Sequence, residues 1–180
     1  MIGRPFPIAE RFEGEAIVGT LGADYFLDGA RELDLAGERL VDVAADDDTH
    51  TSWPALPFDA SIGYLFVAAT LDGTPVRVGF DTGAAHTLWL RQPIEEGDTL
   101  VTTQDAYGNE LELGLGTETL TAGTWPAQTV PVLHAPSFPS LEDSNEAIGQ
   151  PDLAGLLGLT SLPGDRVRID AARAAIYVAP

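Results

Sequence analysis

The sequence predicts a mainly β protein with one or two short helices. Its 180 residues include 19 glycines and 13 prolines, and so many turn-forming residues are typical of short strands rather than of a helical bundle. Asp72 and Gly73 stand between two apolar segments, which is a strong signal for a two-residue hairpin. Apolar residues then alternate with other residues from Val76 to Phe80, as expected for a half-buried strand.

The first part of the chain carries weaker signals. Residues 1–16 are polar and contain two prolines, which disfavour regular structure, and Ala23–Glu32 is compatible with a helix. A charge run, small polar residues and a proline follow one another over Asp46–Pro54, which indicates a linker. We therefore predict an N-terminal segment with an acidic linker over residues 1–54 and a folded domain over residues 55–180.

From Phe58 onward the pattern is that of short strands separated by turns. An apolar, β-branched and aromatic run leads from Gly63 to Leu71, and the returning strand ends at Phe80. The acidic, proline-containing stretch over residues 134–151 is predicted to be a loop. Further strands are predicted at Thr87–Leu90, Leu100–Thr103, Glu110–Leu115, Thr129–Leu133, Val167–Ile169 and Ala175–Val178.

The charge balance excludes several classes of partner. Nine arginines, no lysine and 28 acidic residues give a net charge of −19, whereas nucleic acids and anionic membranes are bound by basic surfaces. The longest apolar run, Tyr64–Ala69, is far too short to cross a bilayer. Because no cysteine is present, disulfides, thiolate metal sites and cysteine nucleophiles are excluded. The first residues lack the apolar core of a secretory signal, so a cytoplasmic location is the default expectation.

The chain also contains an internal echo. Residues 19–36 align without a gap with residues 155–172, and the offset is 136 residues (155 minus 19). Leucine, glycine and aspartate positions recur in register, among them Asp34 and Asp170. Two explanations stay open. One is shared ancestry, in which residues 17–45 resemble the tail of a preceding lobe, and the other is chance in a chain rich in Leu, Gly and Ala.

The most informative segment runs from Val78 to Ala84 and contains the triplet Asp81, Thr82 and Gly83. A strand here ends in an acid on a tight turn, so the Asp81 carboxylate can leave the sheet and project into a cleft. The Thr82 hydroxyl can anchor the loop, and Gly83 permits backbone geometry that other residues resist. An ordinary strand-ending turn is the alternative, since such a triplet occurs by chance in roughly a few per cent of chains of this length.

The order of these segments resembles the retropepsin-like branch of the aspartic proteases, including bacterial single-lobe proteins in which a strand like Tyr64–Val67 precedes the signature. The resemblance covers about residues 58–180. It rests on the Asp-Thr-Gly-Ala signature at Asp81–Ala84 and on a glycine-tipped hairpin at Ala106–Asn109, whose Tyr-Gly pair is similar to that on flaps of the pepsin-like branch. It also rests on the apolar-apolar-glycine triplet Leu156–Gly158.

The resemblance implies a closed, mostly antiparallel acid-protease-like β barrel with an active cleft and with no cofactor or metal. It implies that Asp81 is the catalytic residue and that three further segments surround it. The active-site loop is formed by Thr82, Gly83 and Ala84. The flap is formed by Ala106, Tyr107, Gly108 and Asn109. The loop beneath the active site is formed by Leu156, Leu157 and Gly158.

The chemistry of this family needs two carboxylates that share one proton, and the chain has one Asp-Thr-Gly triplet. The resemblance therefore implies a homodimer, with one Asp81 from each subunit, or pairing with a second lobe. The implied function is that of an aspartic endopeptidase acting on peptide or protein substrates. Two alternatives stay open, namely a catalytically silent module of the same fold that binds peptides or protein partners, and a fragment of a two-lobed protease.

Other chemistry-bearing residues give weaker signals. His50, His86 and His134 lack the spacing of metal ligands, although His86 lies three residues after Gly83 and can sit near the cleft wall. Leu113–Gly116 is not predicted to be a dinucleotide-binding loop, because no helix follows it. No metal site is expected.

Overall fold

One hydrogen-bonded sheet joins the twelve strands of the described residues. The computed structural model describes residues 23–44, 47–60 and 62–180. Within them the helices are α1 (Ala23–Leu27) and α2 (Pro139–Ala147), and Leu159–Ser161 is a turn of 3-10 helix. The strands are β1 (Ala30–Asp34), β2 (Arg39–Val43), β3 (Ala55–Asp59), β4 (Phe66–Leu71), β5 (Thr74–Phe80), β6 (Thr87–Leu90), β7 (Thr99–Gln104), β8 (Glu110–Ala122), β9 (Gln128–Ala135), β10 (Gly155–Leu157), β11 (Arg166–Asp170) and β12 (Ala175–Val178).

Six of these strands close into a ring. The sheet order places β4, β5, β10, β6, β9 and β8 side by side, and a further pairing between β4 and β8 joins the two ends. β7 forms a hairpin with the first half of β8, while β3, β12, β11, β1 and β2 continue the sheet beyond β4. The expectation of a mainly β protein with two short helices is confirmed.

Two pairings in the ring are parallel, and the other pairings between the described strands are antiparallel, which agrees with the expectation of a mostly antiparallel sheet. β10 runs parallel to β5 and antiparallel to β6, and β6 runs parallel to β9. Parallel neighbours need a crossover connection rather than a tight turn. The stretch over residues 134–151 was predicted to be a loop but contains α2, which forms part of such a connection. Pro139 does not prevent this helix, because proline is tolerated in the first turn.

Residues near the start of the described chain are packed into the same core as the strands that follow. The main apolar cluster joins Phe26 of α1 to Leu120 and Val132 of the ring and to Ile169 and Ile176 of β11 and β12. All five side chains are at most 6% exposed. The irregular stretch expected over residues 1–16, and the first positions of the internal echo, lie outside the described residues.

The helix-compatible segment Ala23–Glu32 is helical only as far as Leu27. Gly29 has a φ of 105°, a left-handed conformation that favours glycine and commonly follows the end of a helix. β1 begins at Ala30 because the chain there finds a partner strand in β11. Tertiary pairing therefore overrides the local helical preference of this segment.

The internal echo corresponds to a local two-fold arrangement in the sheet. β1 and β2 form one hairpin, β11 and β12 form another, and β1 pairs antiparallel with β11. The offset of 136 residues places β1 on β11 and β2 on β12. It also maps Glu32 onto Arg168, and these two residues are direct partners in the register. A local two-fold axis therefore passes between Glu32 and Arg168.

Charged side chains are buried beside this axis. Arg168 is 2% exposed, and its Nη2 lies 3.0 Å from Glu32 Oε2 and 3.1 Å from Asp47 Oδ2. His50 is fully buried, and its Nδ1 accepts a hydrogen bond from Arg168 Nη1 at 2.5 Å. Burial and the neighbouring guanidinium lower the pKa of His50, so the neutral ring can accept this bond. The segment predicted as a linker is thus anchored to β11, while the division of the chain after residue 54 stays a prediction.

Arg168→Met should destabilise the protein strongly. It removes the buried cation that Glu32 and Asp47 share, and breaking a buried ion pair from one side costs about 3–5 kcal/mol. Arg39→Met is the matched control, because the Arg39 side chain is 70% exposed in its pair with Asp34 and should contribute no more than about 1 kcal/mol. Urea unfolding followed by circular dichroism measures both variants. Equal losses would show that the buried network does not hold β1 against β11.

Candidate active site

Asp81 stands at the point where the chain leaves β5. Val78 and Phe80 are buried, and the chain turns directly after Phe80, so that the Asp81 side chain reaches a partly exposed position. Asp81 Oδ1 accepts a hydrogen bond from Gly83 N at 2.8 Å, and Ala84 N donates one to Asp81 O at 3.2 Å. These bonds fix the turn and hold the carboxylate in place.

β10 (Gly155–Leu157) passes directly beside this turn. It lies between β5 and β6, and Leu157 O accepts a hydrogen bond from Asp81 N at 3.1 Å. The chain after β10 adds a second bond, because Leu159 N donates to Ala84 O at 2.9 Å. The structure therefore brings together the predicted active-site loop and the predicted loop beneath it, while the roles assigned to both stay predictions.

Two glycines allow β10 to lie this close to its neighbours. A Cβ atom on Gly158 would lie 2.4 Å from His86 O, and one on Gly155 would lie 1.9 Å from Leu88 O. Gly155 also has a φ of 143°, a conformation that L residues rarely adopt. The glycine of the apolar-apolar-glycine triplet is therefore required by the backbone next to it.

Sequence reasoning missed a buried hydroxyl pair beneath the loop. Thr87 Oγ1 and Ser161 Oγ lie 2.5 Å apart, and Gly158 N donates a hydrogen bond to Thr87 Oγ1 at 3.2 Å. Both hydroxyl-bearing residues are at most 1% exposed. They are 74 residues apart in the chain, so no local pattern pointed to them.

A cleft of about 330 Å³ opens beside Asp81. It is lined by Asp81 and Thr82, by parts of β4, β5 and β10, and by one face of α2. Among the described residues that line it, Asp81 is the one carboxylate and no arginine is present. Apolar side chains form most of the walls, among them Phe26, Leu65, Phe66, Phe80, Leu153 and Leu156.

The predicted flap, Ala106–Asn109, is the turn between β7 and β8. Asp105 organises this turn, because its carboxylate accepts hydrogen bonds from Tyr107 N and Asn109 N, each at 2.9 Å. Asn109 Nδ2 donates a further bond to the same carboxylate at 3.0 Å. The tip therefore has a defined conformation of its own.

Two hydrogen bonds join this turn to α2. Ala106 N donates to Ser140 Oγ, and Tyr107 OH donates to Asp143 Oδ2, each at 3.2 Å. The bond to Asp143 raises the pKa of Tyr107, whose side chain is otherwise 61% exposed. None of the four predicted flap residues lines the cleft beside Asp81. The turn is bonded to α2, and α2 in turn lines the cleft. The mobility of the turn stays a prediction.

His134 belongs to a second buried polar cluster. Its Nδ1 lies 2.8 Å from Asp98 Oδ2 and its Nε2 lies 3.0 Å from Glu118 Oε1. Gly114 and Gly116 make room for this cluster, because Cβ atoms there would come within 2.3 and 2.4 Å of the Asp98 carboxylate. The paired glycines of this strand therefore serve the packing of Asp98, a role that sequence reasoning did not assign to them.

The three histidines lie in different parts of the fold. His86 Nδ1 is 3.3 Å from Thr160 Oγ1, His50 contacts Arg168, and His134 is a residue of β9. Over residues 23–44, 47–60 and 62–180, no group of three or more His, Asp or Glu side chains is arranged to hold a metal ion. The same ranges contain no helix of the length and apolar character needed to cross a membrane.

Comparisons with known proteins give a slight structural similarity and no match in sequence. No family model matches the chain, and no curated protein matches it. The structure is similar to the crystal structure of a retropepsin-like aspartic protease from Rickettsia conorii, with a TM-score of 0.38 and 14% sequence identity. The similarity covers 64% of this chain and 86% of that one.

Gly158→Ala should displace β10 from the Asp81 turn. The new methyl group would overlap His86 O, a backbone atom, and overpacking of this kind costs about 1–3 kcal/mol. Hydrogen exchange of the Asp81 amide, which is bonded to Leu157 O, should become faster. Gly97→Ala is the control, since its Cβ would meet nothing within 4 Å and only its φ of 106° would be strained. An Asp81 amide that exchanges equally fast in both variants would contradict the expectation.

Asp98→Asn should destabilise the protein at neutral pH and less so in acid. The hydrogen bond from His134 lowers the pKa of Asp98, so the ionised group stabilises the fold above its unfolded pKa of about 4. That contribution is lost as the pH falls through the lower folded pKa.

Glu118→Gln provides the opposite case. Burial, assisted by Asp72, raises the pKa of Glu118, so ionisation of this group costs stability as the pH rises above its unfolded value of about 4.3. Thermal unfolding between about pH 3 and about pH 7 measures both variants. Relative to the wild type, Asp98→Asn should lose and Glu118→Gln should gain stability as the pH rises. The same trend in both variants would contradict the pKa assignments.

Proposed function

We propose that the protein is an aspartic endopeptidase, which hydrolyses peptide bonds through a water molecule activated by Asp81 and a second, paired carboxylate. One observation carries the proposal: Asp81 is held on a turn by β10 and its carboxylate lies on a largely apolar cleft. In this proposal the six-stranded ring is the acid-protease-like barrel, and Thr82, Gly83 and Ala84 form its active-site loop.

The proposed chemistry follows from two carboxylates that share one proton. Like charges at close range cannot both ionise, so one group is protonated while the other is ionised. The ionised group removes a proton from water, whose oxygen bonds to the carbonyl carbon, and the protonated group donates to the carbonyl oxygen. Collapse of the tetrahedral intermediate then breaks the C–N bond, and a proton passes to the leaving amine. No cofactor or metal takes part.

The second carboxylate would come from a second unit of this fold. The local two-fold axis between Glu32 and Arg168 relates the two hairpins of the sheet and suggests where that unit fits. β12 pairs on its far side with β3, where Ile176 faces Leu56. The axis relates β12 to β2, and β2 is the edge strand at one end of the sheet of the described residues. The free edge of β2 can therefore pair with a strand of the second unit that corresponds to β3.

The sheet favours a second lobe over a simple homodimer as the source of this unit. In a homodimer built on the same axis, the β11 strands of two subunits would lie side by side. β1 already pairs with β11 from Ala30 to Asp34, which leaves no room there for the β11 strand of a partner. A homodimer would therefore need to exchange or displace the β1–β2 hairpin.

A catalytically silent module that binds peptides is the second candidate function. The observation in its favour is that the cleft is mostly apolar and that Asp81 is the one carboxylate among its described lining residues. Such a cleft can bind an extended peptide whether or not a second carboxylate is supplied. Hydrolysis, rather than binding, separates the two candidates.

Cleavage of unfolded casein between about pH 3 and about pH 7 tests the proposal. Asp81→Asn should lower the rate at least about a hundredfold, because a carboxamide of nearly the same volume cannot accept the proton. Asp28→Asn is the matched control, since it changes an exposed carboxylate outside the cleft and should leave the rate unchanged. The rate should follow a bell-shaped pH profile, as expected of a shared proton.

Each outcome of this experiment decides between the candidates. Cleavage that survives Asp81→Asn would exclude Asp81 as the catalytic residue. Casein binding with no cleavage at any pH or protein concentration would establish the silent module. A rate that grows with the square of the protein concentration would show that the second carboxylate comes from another copy of the chain.

A further inference from the structure

α2 presents one stripe of residues to the cleft beside Asp81. Leu141, Ser144 and Asn145 of α2 line the cleft together with Ile148, the residue after its last turn, and their spacing of three and four residues places them on one side of the helix. Other positions of α2 bond the turn between β7 and β8. The helix is thus fixed by one set of contacts while a different set faces the cleft.

The rest of the cleft suits an uncharged and mainly apolar group. Phe66, Phe80 and Leu156 contribute to its walls, and its volume is about 330 Å³. An anion would be repelled by Asp81 and by the net charge of −19. A cation would lose its hydration against apolar walls. These limits leave neutral side chains of substantial size as the chemistry that fits.

Asn145 is the unsatisfied polar group of this stripe. It is 5% exposed, and its side-chain nitrogen is buried without a hydrogen-bond partner among the described residues. The neighbouring Ser144 hydroxyl already donates to Ser140 O at 2.7 Å. Because a buried donor without an acceptor is costly, an acceptor supplied by an occupant of the cleft would be favourable. Rotation of the amide about its last torsion can turn the donor toward that occupant.

We infer that the cleft binds a large apolar side chain that ends in a neutral hydrogen-bond acceptor, and that Asn145 determines this selectivity. A tyrosine of a bound peptide has this chemistry, with an aromatic ring for the apolar walls and a hydroxyl oxygen for the Asn145 amide. Phenylalanine fills the same space but leaves the amide unpaired. The inference rests on the proposed function only in taking the occupant to be a peptide.

Binding of two small probes to the whole chain tests this inference. N-acetyl-tyrosinamide should bind about three- to tenfold more tightly than N-acetyl-phenylalaninamide, the range expected for one neutral hydrogen bond. Asn145→Leu should bring the ratio of the two dissociation constants to about one. Ser52→Ala should keep the ratio, because Ser52 is exposed and lies outside the cleft. Titrations of the ¹⁵N-labelled protein followed by NMR give both constants.

A second readout does not depend on how well the variants fold. In the wild-type protein the side-chain amide resonance of Asn145 should shift with the tyrosine probe and not with the phenylalanine probe. Equal affinities, no binding of either probe, or a ratio that survives Asn145→Leu would overturn the inference. Because hydrolysis is not measured, selective binding by a chain that fails to cleave casein would reject the proposed function and keep the inference. Cleavage of casein together with equal probe affinities would do the reverse.

Discussion

The insertion of β10 between β5 and β6 is the constraint on which the rest of the structure depends. β5 and β6 are consecutive in the chain, yet each pairs with β10 rather than with the other. Gly155 and Gly158 permit this, because a Cβ at either position would meet backbone oxygens at 1.9 or 2.4 Å. In the same strand, Leu157 O accepts a hydrogen bond from the backbone amide of Asp81. Closure of the ring and placement of the carboxylate are therefore a single structural event.

The buried charges beside the local two-fold axis solve a different problem, that of register. A buried ion pair adds little net stability compared with apolar residues of the same size, since desolvation opposes it. Its value here lies in specificity, because Glu32 is opposite Arg168 in only one pairing of β1 with β11. If β1 slipped by one residue along β11, the side chains of Glu32 and Arg168 would lie on opposite faces of the sheet. Asp47 and His50 then secure the chain between β2 and β3 to the same guanidinium.

Features encoded by neighbouring residues could be predicted from the sequence, and features built from distant residues could not. Asp72 and Gly73 do form the β4–β5 turn. Their φ values are 44° and 78°, a left-handed region that glycine adopts freely and that aspartate tolerates better than most residues. The turn at Asp81 follows from a strand that ends in Asp-Thr-Gly. By contrast, His134 meets Asp98 across 36 residues, and no local pattern links them. α2 was predicted as a loop because its polar, proline-led sequence lacks an apolar repeat, and its helix depends on tertiary contacts.

The distribution of arginine explains why the cleft has the electrostatic character that the proposed chemistry needs. An arginine beside Asp81 would hold its carboxylate ionised and prevent it from sharing a proton. Seven arginines lie within the described residues, and each is bonded to a group other than Asp81. Their partners are Asp42 for Arg31, Asp34 for Arg39, Asp59 for Arg77, the backbone oxygens of Pro151 and Leu153 for Arg91, Glu32 for Arg166 and Arg168, and Asp170 for Arg173. In a chain with 28 acidic residues and nine cations, the described cations thus stabilise the sheet and its connections. The cleft is left with one carboxylate in apolar surroundings, and no cation among its described lining residues would compete with the second carboxylate that the proposed chemistry requires.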